Sequence, residues 1–333
     1  MGGEFTAIDD GGATLPRHHL VAVTEADGHP VGGFVADTDG VVDSLAVVGS
    51  QLYVGGSFAT VNGVARKNLA RVDLASGVVD TSFSLDANNV VYDLWLHGTR
   101  LYVSGDFTSL GGTGRSRVAA IDTTTGALVG TFKPTVDRRV SSVASSPDGA
   151  TIYLGGRFSS VNHQSVLNLA AVRASDGSLL SQRFADVQAP DPATTTSDIL
   201  DLDMSPDGAT VFVGIGGKHF NVVGAWDAAT GTRHWWHGFD PTDHLDGDVQ
   251  AVAYDAGKIY FGFHGGYNGN NTRRLMVADA VSGVLDTGFQ PNMNGIVGVA
   301  DLSADAGALT AVGDFTVGSG VPLGGVGLFP RLP

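Results

Sequence analysis

Short apolar segments of strand type alternate with glycine-rich turns along the whole chain. The clearest segment reads Leu-Tyr-Val-Gly-Gly-Ser-Phe over residues 52–58. Complete or degraded copies of it begin at Leu52, Leu101, Ile152, Val211, Ile259 and Leu309. The starts are therefore 49, 51, 59, 48 and 50 residues apart. A period near fifty made of short strands and glycine turns predicts an all-β fold, a β-propeller with one four-stranded blade per repeat.

Residues 42–83 show how one repeat is predicted to fold. Residues 42–47 are apolar enough for a first strand, and residues 52–55 form the second. A loop over 60–67 leads to residues 68–73, whose polar and apolar positions alternate as in a half-buried third strand. Ser76-Gly77 is a hairpin turn, and residues 78–83 form the outer fourth strand.

The number of repeats predicts the number of blades. First strands begin near Val42, Val91, Val140, Ile199, Val249 and Ile296. We therefore predict a single propeller domain over 1–333 with six blades, and seven blades with one incomplete is the alternative. The N-terminal residues 1–35 are expected to close the ring, with strands at about 17–35 completing the blade begun by residues 296–315. Such a closure leaves no free sheet edge at the seam.

The motifs of the first full repeat carry a family resemblance. Leu-Tyr-Val-Gly-Gly-Ser-Phe-x-x-Val-Asn-Gly, then Arg-Lys-Asn-Leu-Ala-Arg-Val-Asp, then Ser-Gly-Val-Val-Asp-Thr-Ser-Phe fill residues 52–83. This pattern resembles the bacterial β-propeller repeats called delta-sixty repeats, and the resemblance covers nearly the whole chain. It implies the fold and a place in a secreted or surface protein. It implies no common activity and no catalytic residues.

Composition narrows the possible partners. The formal net charge is −15, which argues against binding nucleic acid or an anionic membrane surface. There is no cysteine, and no apolar run approaches the length of a membrane span. The opening Met1-Gly2-Gly3-Glu4-Phe5 aligns with the Gly-Gly-Ser-Phe end of a repeat, so we expect the sequence to begin inside a blade, without a signal peptide. A monomeric, extracellular or cell-surface domain is expected.

Departures from the repeat concentrate in the fourth and fifth copies. They comprise an insertion rich in Pro, Asp and Thr over 185–198, a shortened loop at 216–219, the connection 235–248 and the loop 264–272. Connections between blades and loops between second and third strands emerge on one face of a propeller. These segments should therefore meet in one sector, and loops on a rigid scaffold commonly carry function.

That sector supplies the predicted ligand-binding residues. They are Trp236, His237, Asp240, Asp243, His244, His264, Tyr267, Asn268 and Asn270. Trp235 is interpreted as a residue that packs blades together, and Trp236 must point the other way along the strand. Trp236 or Tyr267 could then stack on a sugar ring while Asp and Asn accept its hydroxyls. The leading hypothesis is a non-catalytic module that binds carbohydrate or an extracellular protein.

Metal binding, catalysis and a purely architectural role remain open alternatives. Asp240, Asp243, Asp246 and Asp248 recur at the short polar spacing of Ca²⁺ ligands, but they do not match an EF-hand loop, and a solvated acidic turn is the simpler interpretation. His237, His244 and His264 lack any fixed metal-binding spacing, so we predict no metal or cofactor, with Ca²⁺ left open. A hydrolase or lyase acting on polysaccharide would need a carboxylate pair, for which only Asp240 and Asp243 are candidates. An architectural spacer would need no ligand.

One position in each first strand should face the propeller axis. Six residues occupy that predicted position: Ser44, Asp93, Ser142, Asp201, Ala251 and Gly298. Small and acidic side chains there predict a water-filled channel. Two aspartates are too few to predict a metal site.

Overall fold

The computed structural model describes residues 1–10, 12–24, 28–188, 197–218, 220–305 and 308–330. Within these ranges every regular element is a β-strand and no helix occurs. The strands are short and almost all sheet pairing is antiparallel, which fits the period-two patterning of the repeats. The prediction of an all-β fold is therefore confirmed.

The strands follow the six predicted repeats in order. An N-terminal hairpin consists of β1 (Ala7–Asp10) and β2 (Ala13–Pro16). The first repeat contains β3 (Val41–Val48), β4 (Gln51–Ser57), β5 (Thr60–Val61), β6 (Val64–Ala65) and β7 (Leu69–Asp73). The second contains β8 (Val91–His97), β9 (Arg100–Gly105), β10 (Ser109–Leu110), β11 (Thr113–Gly114), β12 (Val118–Asp122) and β13 (Ala127–Leu128).

The third repeat contains β14 (Val140–Ser145), β15 (Thr151–Gly156), β16 (Ser160–Val161), β17 (Gln164–Ser165) and β18 (Leu169–Arg173). The fourth contains β19 (Asp198–Met204), β20 (Thr210–Gly216), β21 (Val222–Asp227), β22 (Arg233–His237), β23 (Phe239–Asp240) and β24 (Asp243–His244). The fifth contains β25 (Val249–Asp255), β26 (Lys258–Phe263) and β27 (Leu275–Asp279). The sixth contains β28 (Val299–Asp305), β29 (Ala308–Gly313), β30 (Val317–Gly318), β31 (Val321–Pro322) and β32 (Val326–Pro330).

The chain divides into two compact units. One comprises residues 1–143, 160–165 and 172–179, and the other comprises residues 144–159, 166–171 and 180–333. In the first unit the sheets run β3-β4-β7 and β13-β12-β9-β8. In the second they run β19-β20-β21-β22, β25-β26-β27 and β28-β29-β32. Every one of these sheets thus places the second strand of its repeat between the first and the third, as predicted for a blade.

The glycine of the Leu-Tyr-Val-Gly motif has a packing role. A Cβ atom on Gly55 would lie 2.6 Å from Cγ1 of Val91, in the first strand of the next repeat. The same close approach recurs at later copies, where a Cβ on Gly155 or Gly262 would collide with a β-branched side chain of the following first strand. Glycine at this position lets consecutive sheets approach closely. The core therefore lies between sheets, and one buried cluster joins Tyr53 of the first repeat to Leu101 of the second.

Replacing Gly55 with alanine should therefore destabilise the protein. The added methyl group would force Val91 out of its packed position, at a cost of about 1–3 kcal/mol. Urea denaturation should show a lower midpoint with an unchanged slope. Gly114→Ala is the matched control because no atom lies within 4 Å of the new Cβ there. Equal midpoints for the two variants would contradict the packing role.

Aromatic pairs repeat with the sheets. The second-strand tyrosine and a phenylalanine after the third strand make edge-to-face contacts, as in Tyr53–Phe83 at 5.4 Å and Tyr260–Phe289 at 5.8 Å between ring centroids. In the fourth repeat the corresponding pair is Phe212–Trp235, at 6.3 Å. Trp235 also donates from Nε1 to the carbonyl of Ala280. The interpretation of Trp235 as a packing residue agrees with these contacts.

Several details differ from the sequence prediction. The 60–67 segment is a small hairpin, β5–β6, rather than a loop. Residues 78–83 contribute only an isolated bridge, Val72↔Val79, and the chain turns at residues 81–82. Among the described residues a regular fourth strand pairs in two sheets, as β13 and β22. The sheets are therefore less regular at this edge than the predicted four-stranded blades.

The last repeat is also shifted and supplies its own third strand. Its first strand begins at Val299 rather than near Ile296, because the amides of Ile296 and Val297 bind the Asp314 carboxylate instead of a strand partner. The position aligned with Asp93 is therefore Asp301, not Gly298. Strand β32 pairs with β29, so residues 17–35 do not provide that sheet's third strand, which corrects the predicted seam.

Candidate functional site

The first-strand aspartates hold neighbouring repeats together. Asp93 accepts hydrogen bonds at Oδ1 from the Leu94 amide (2.7 Å) and Ser44 Oγ (3.3 Å). Its Oδ2 accepts from the Val143 amide (2.8 Å) and Ser142 Oγ (3.2 Å). Burial raises the pKa of Asp93 while these four donors oppose the rise. Three of the residues predicted to line a channel thus form one structural network across three first strands.

In the fourth repeat, first-strand aspartates again bind backbone amides of the next repeat. Asp201 accepts from the Val252 amide at 2.8 Å and Asp203 accepts from the Tyr254 amide at 2.6 Å, both in the next first strand. Burial, opposed by the amides of Tyr254 and Met204, raises the pKa of Asp203 to about 6. These carboxylates are accounted for by packing between first strands, so the candidate site lies elsewhere.

The predicted loop sector contains a hairpin that has no counterpart among the described residues of the other blade connections. After β22 the chain turns at Gly238 into β23–β24, where Phe239 faces His244 and Asp240 faces Asp243. Gly238 has a φ of +113°, and a Cβ there would lie 2.2 Å from the carbonyl oxygen of Asn221. Only glycine fits this turn. The hairpin is thereby aimed toward the loop of the fifth repeat.

That loop joins the hairpin through an isolated β-bridge, and an equivalent β-bridge occurs in other repeats. Leu245 pairs with Tyr267, as Thr38 pairs with Val61 and Ala87 pairs with Leu110. The prediction that connections and second-to-third loops lie together therefore holds within this unit. It brings the connection 235–248 and the loop 264–272 into contact.

An open groove lies between the hairpin and the loop. It has a volume of about 480 Å³ and is lined by Phe239, Pro241, His244, Asn268 and Gly269. Phe239 is 42% exposed, although aromatic side chains of this size are usually more buried. The groove therefore combines an exposed aromatic ring with an imidazole and a proline.

Three predicted site residues form a hydrogen-bonded chain behind the groove. Nδ1 of His237 lies 2.6 Å from Oδ2 of Asp243, and the Tyr267 hydroxyl donates to Oδ1 of Asp243 at 2.9 Å. Tyr267 is nearly buried, at the position that Val61 and Leu110 occupy in other repeats. It is therefore unavailable for stacking on a ligand, which corrects that part of the prediction.

Trp236 is also a poor stacking platform. The Arg233 guanidinium lies 3.7 Å from the centre of the indole ring, and Arg233 is itself paired with Asp186 at 2.8 Å. The edges of Phe220 and Phe239 pack against the same ring. The side chain supports Phe239 rather than standing free.

The asparagines have local roles. Asn268 Oδ1 accepts from the His244 amide (2.8 Å) and Nδ2 donates to the Thr242 carbonyl (3.0 Å), which pins the loop to the hairpin. Asn62 and Asn162 make the same amide contact in their repeats and share its φ of 49°. Asn270 accepts from Thr272 and closes a turn. Sequence comparison between repeats would have revealed the structural role of Asn268.

The remaining acidic and histidine side chains are dispersed. Asp240 accepts from the Thr242 amide and hydroxyl, which fixes the hairpin turn. His244 pairs with Asp246 at 3.6 Å, and His264 pairs with Asp248 at 3.8 Å outside the groove lining. Across the described part of the chain, no three His, Cys, Asp or Glu side chains are arranged to hold a metal. We therefore assign none of these residues as a metal ligand.

The two candidate catalytic carboxylates do not form an acid–base pair. Hydrogen bonds from Thr242 lower the pKa of Asp240. Burial raises the pKa of Asp243, but the bond to His237, its charge and the Tyr267 hydroxyl outweigh burial and lower it. A glycosidase acid needs a raised pKa. Both carboxyls remain ionised, so neither of them can serve as the carboxylic acid of such a pair.

Sequence reasoning missed Phe239 and Pro241. A signal was present, because Asp240-Pro241-Thr242-Asp243 is a strong type I turn sequence. That turn places its flanking residues opposite one another, which would have predicted the Phe239–His244 pair. Two of the four predicted departures fall partly outside the described residues, namely the insertion over 185–198 and the shortened loop that ends at His219.

Comparison with known proteins adds a structural neighbour. No family model and no curated protein matches the sequence. Among solved structures the chain is similar to the "extracellular domain of the putative one component system BT4673 from B. thetaiotaomicron", with a TM-score of 0.55 and 12% identity. The match covers 89% of this chain and about a third (33%) of that one. At this identity the likeness shows a shared fold. Among the described residues no helix has the length and apolarity needed to cross a membrane.

Proposed function

We propose that the chain is a six-bladed β-propeller of the delta-sixty-repeat type that serves as a non-catalytic binding module of a secreted or surface protein. Its ligand is an uncharged saccharide held in the groove at Phe239. The propeller is supported by the packing of successive first strands, as Asp93 and Asp201 bridge them within each unit. The extracellular location is supported by the structural neighbour, which is itself an extracellular domain.

The exposed ring of Phe239 is the observation that carries this proposal. It stands in the hairpin beside Pro241, so a sugar ring could lay its C–H face on both. The His244 imidazole on the same groove wall can exchange hydrogen bonds with hydroxyls. Trp236 and Phe220 support the ring from behind.

Charge selects among saccharides. The groove hairpin carries ionised Asp240 and Asp243, and the whole chain has a net charge of −15. These charges repel uronates and sulfated sugars. An uncharged saccharide avoids this repulsion, so it is the class that the site favours.

The proposal predicts the outcome of a glycan screen on the purified protein. Neutral oligosaccharides should bind and acidic ones should not. Phe239→Ala should weaken binding about tenfold or more in calorimetry, because it removes the stacking surface. Val284→Ala is the matched control, since it removes an exposed apolar side chain outside the groove lining and should leave affinity unchanged.

Other outcomes point to other functions. Cleavage of a bound glycan, abolished by Asp243→Asn, would indicate a hydrolase or lyase. Loss of binding on adding a chelator would bring Ca²⁺ into the site, whereas we expect no change. A blank screen would overturn the saccharide proposal. Capture of a defined extracellular protein would then favour a protein-binding role, and no capture would favour a spacer.

A further inference from the structure

Both ring nitrogens of His237 face hydrogen-bond acceptors. Nδ1 lies 2.6 Å from the Asp243 carboxylate, and Nε2 lies 2.6 Å from the carbonyl oxygen of Gly283. Neither acceptor can donate when Asp243 is ionised, so each nitrogen must carry a hydrogen to make its bond. His237 is therefore held as an imidazolium. Its side chain is 16% exposed, which shields the pair from solvent.

The acceptor on the far side is fixed in place. Gly283 occupies the turn after β27 with a φ of +73°, and a Cβ there would lie 2.6 Å from the indole ring of Trp235. The turn is thus packed directly on the core. Through His237, the hairpin residue Asp243 is tied to this rigid turn.

The charges around His237 favour its protonated form. Burial lowers the pKa of His237, but hydrogen bonds to Asp243 and Gly283, with the negative charge of Asp243, outweigh burial and raise it. Asp240 lies beside Asp243 in the hairpin. Tyr267 is neutral because burial and Asp243 raise its pKa to about 12. The Arg273 guanidinium is a nearby cation, with its central carbon 5.7 Å from the centre of the Tyr267 ring.

The geometry points to a positioning role for His237 in the groove. We infer that the imidazolium fixes the Phe239–His244 hairpin to the Gly283 turn, and that ligand affinity falls when His237 loses its second proton. Asp243 stands directly opposite Asp240, and the next pair in the hairpin is Phe239 with His244, so anchoring Asp243 sets the groove wall. The part of the inference that concerns affinity rests on the proposed saccharide function.

The direction of the pH effect follows from the proton count. A neutral imidazole has one N–H, so either Asp243 or Gly283 would face a lone pair at 2.6 Å. The folded pKa of His237 lies above its ordinary value of 6.5. The stabilisation is therefore complete below that ordinary value and is lost as pH rises through the folded pKa.

Histidine NMR and amide hydrogen exchange test this in the ligand-free protein. The pH is raised from about 6 to about 9, through the range of histidine titration. Protection of the backbone amides of residues 238–240 and 242–245, corrected for intrinsic exchange rates, should fall about tenfold or more in step with the His237 resonance. His237→Gln should show low protection at every pH. His234→Gln, an exposed histidine in the same strand, is the control and should behave as the wild type. Protection that is unchanged while His237 titrates would overturn the inference, as would titration of His237 below the ordinary range.

Affinity for the neutral probe cellohexaose distinguishes the two proposals. The positioning role is supported if binding by the wild type weakens over the same pH range while binding by His237→Gln depends only slightly on pH. Binding of constant strength across the titration overturns it even if the hairpin loosens. If cellohexaose and the other neutral glycans do not bind at all, the saccharide function and the affinity effect both fail, while the exchange data still decide whether His237 anchors the hairpin.

Discussion

Asp93→Ala is expected to lower the free energy of unfolding by about 3–5 kcal/mol. The carboxylate accepts four hydrogen bonds that originate in three consecutive repeats. Its removal leaves the buried Val143 amide without this acceptor, and it leaves the Leu94 amide with Ser44 Oγ, at 3.0 Å, in place of the carboxylate. Unsatisfied buried donors carry their full desolvation cost, so the loss exceeds that of an ordinary surface carboxylate.

Urea denaturation followed by intrinsic tryptophan fluorescence measures this loss. Asp176→Ala is the control, because Asp176 is half exposed and serves only a local turn and an exposed pair with Arg173. Asp93→Asn should fall between the wild type and Asp93→Ala, since one oxygen remains to accept while the new amide opposes a backbone N–H. If Asp93→Ala unfolds at the same urea concentration as Asp176→Ala, the network does not hold the repeats together.

The fold was predictable because its determinants are local and repeated. Glycine after Leu-Tyr-Val signals where a sheet must accept a side chain of the next repeat, as Gly55 accepts Val91. The alternation over residues 68–73 corresponds to β7. The error in the sixth repeat arose where Asp314 binds the amides of Ile296 and Val297. A side chain that competes for backbone amides leaves no signal in the hydrophobic pattern.

The meeting of the irregular segments was predictable, but the orientation of their side chains was not. The connection 235–248 and the loop 264–272 were predicted to lie together, and they do meet. Which side chains face solvent depends on tertiary contacts, and Trp236 is covered by Arg233 through an ion pair with Asp186. The adjacency of Phe239 to the groove required the turn at Asp240 to be recognised. Residue type alone therefore did not indicate which aromatic side chain is exposed in the groove.

The roles of His237 and Asp243 illustrate the same limit. Both were selected as ligand-binding residues from their chemistry. The structure instead shows their polar atoms hydrogen-bonded to each other, to Gly283 and to Tyr267. A polar side chain that the sequence suggests for ligand binding can already be hydrogen-bonded to a turn more than forty residues away, as His237 is to Gly283. In the positioning role inferred for His237, these two side chains shape the groove through the hairpin rather than by contact with a ligand.

The protein should be most stable at acidic pH, at about pH 4. Burial raises the pKa of Asp203 to about 6 from an ordinary value of 3.8. Between these values the folded state binds more protons than the unfolded state, so the free energy of unfolding falls as pH rises through this window. The shift corresponds to a loss of about 3 kcal/mol, complete above the folded pKa. Asp43, whose pKa burial also raises to about 6 against the opposing charge of Arg139, acts in the same direction.

Other carboxylates determine the acid limb. Hydrogen bonds from Ser82, opposed by burial and assisted by Arg71, lower the pKa of Asp80 to about 2. Asp80 contributes stability at pH values above its ordinary pKa of 3.8. That contribution is lost as pH falls toward its pKa in the folded state, about 2. Opposite shifts in different aspartates thus place the maximum between the two windows. It lies well below neutral pH because buried carboxylates such as Asp203 are protonated there and their burial is no longer opposed by charge.

Urea denaturation at intervals from about pH 3 to about pH 8 tests this profile. Asp203→Asn should flatten the decline between about pH 4 and 6, whatever its absolute stability, because the titrating group is gone. Asp207→Asn, a surface turn residue whose pKa hydrogen bonds from Ser205 and Ala209 lower, should leave that decline unchanged. A wild-type stability that rises steadily from pH 4 to neutrality would show that Asp203 is ionised without cost. The amides of Tyr254 and Met204 would then fully compensate the burial of its charge.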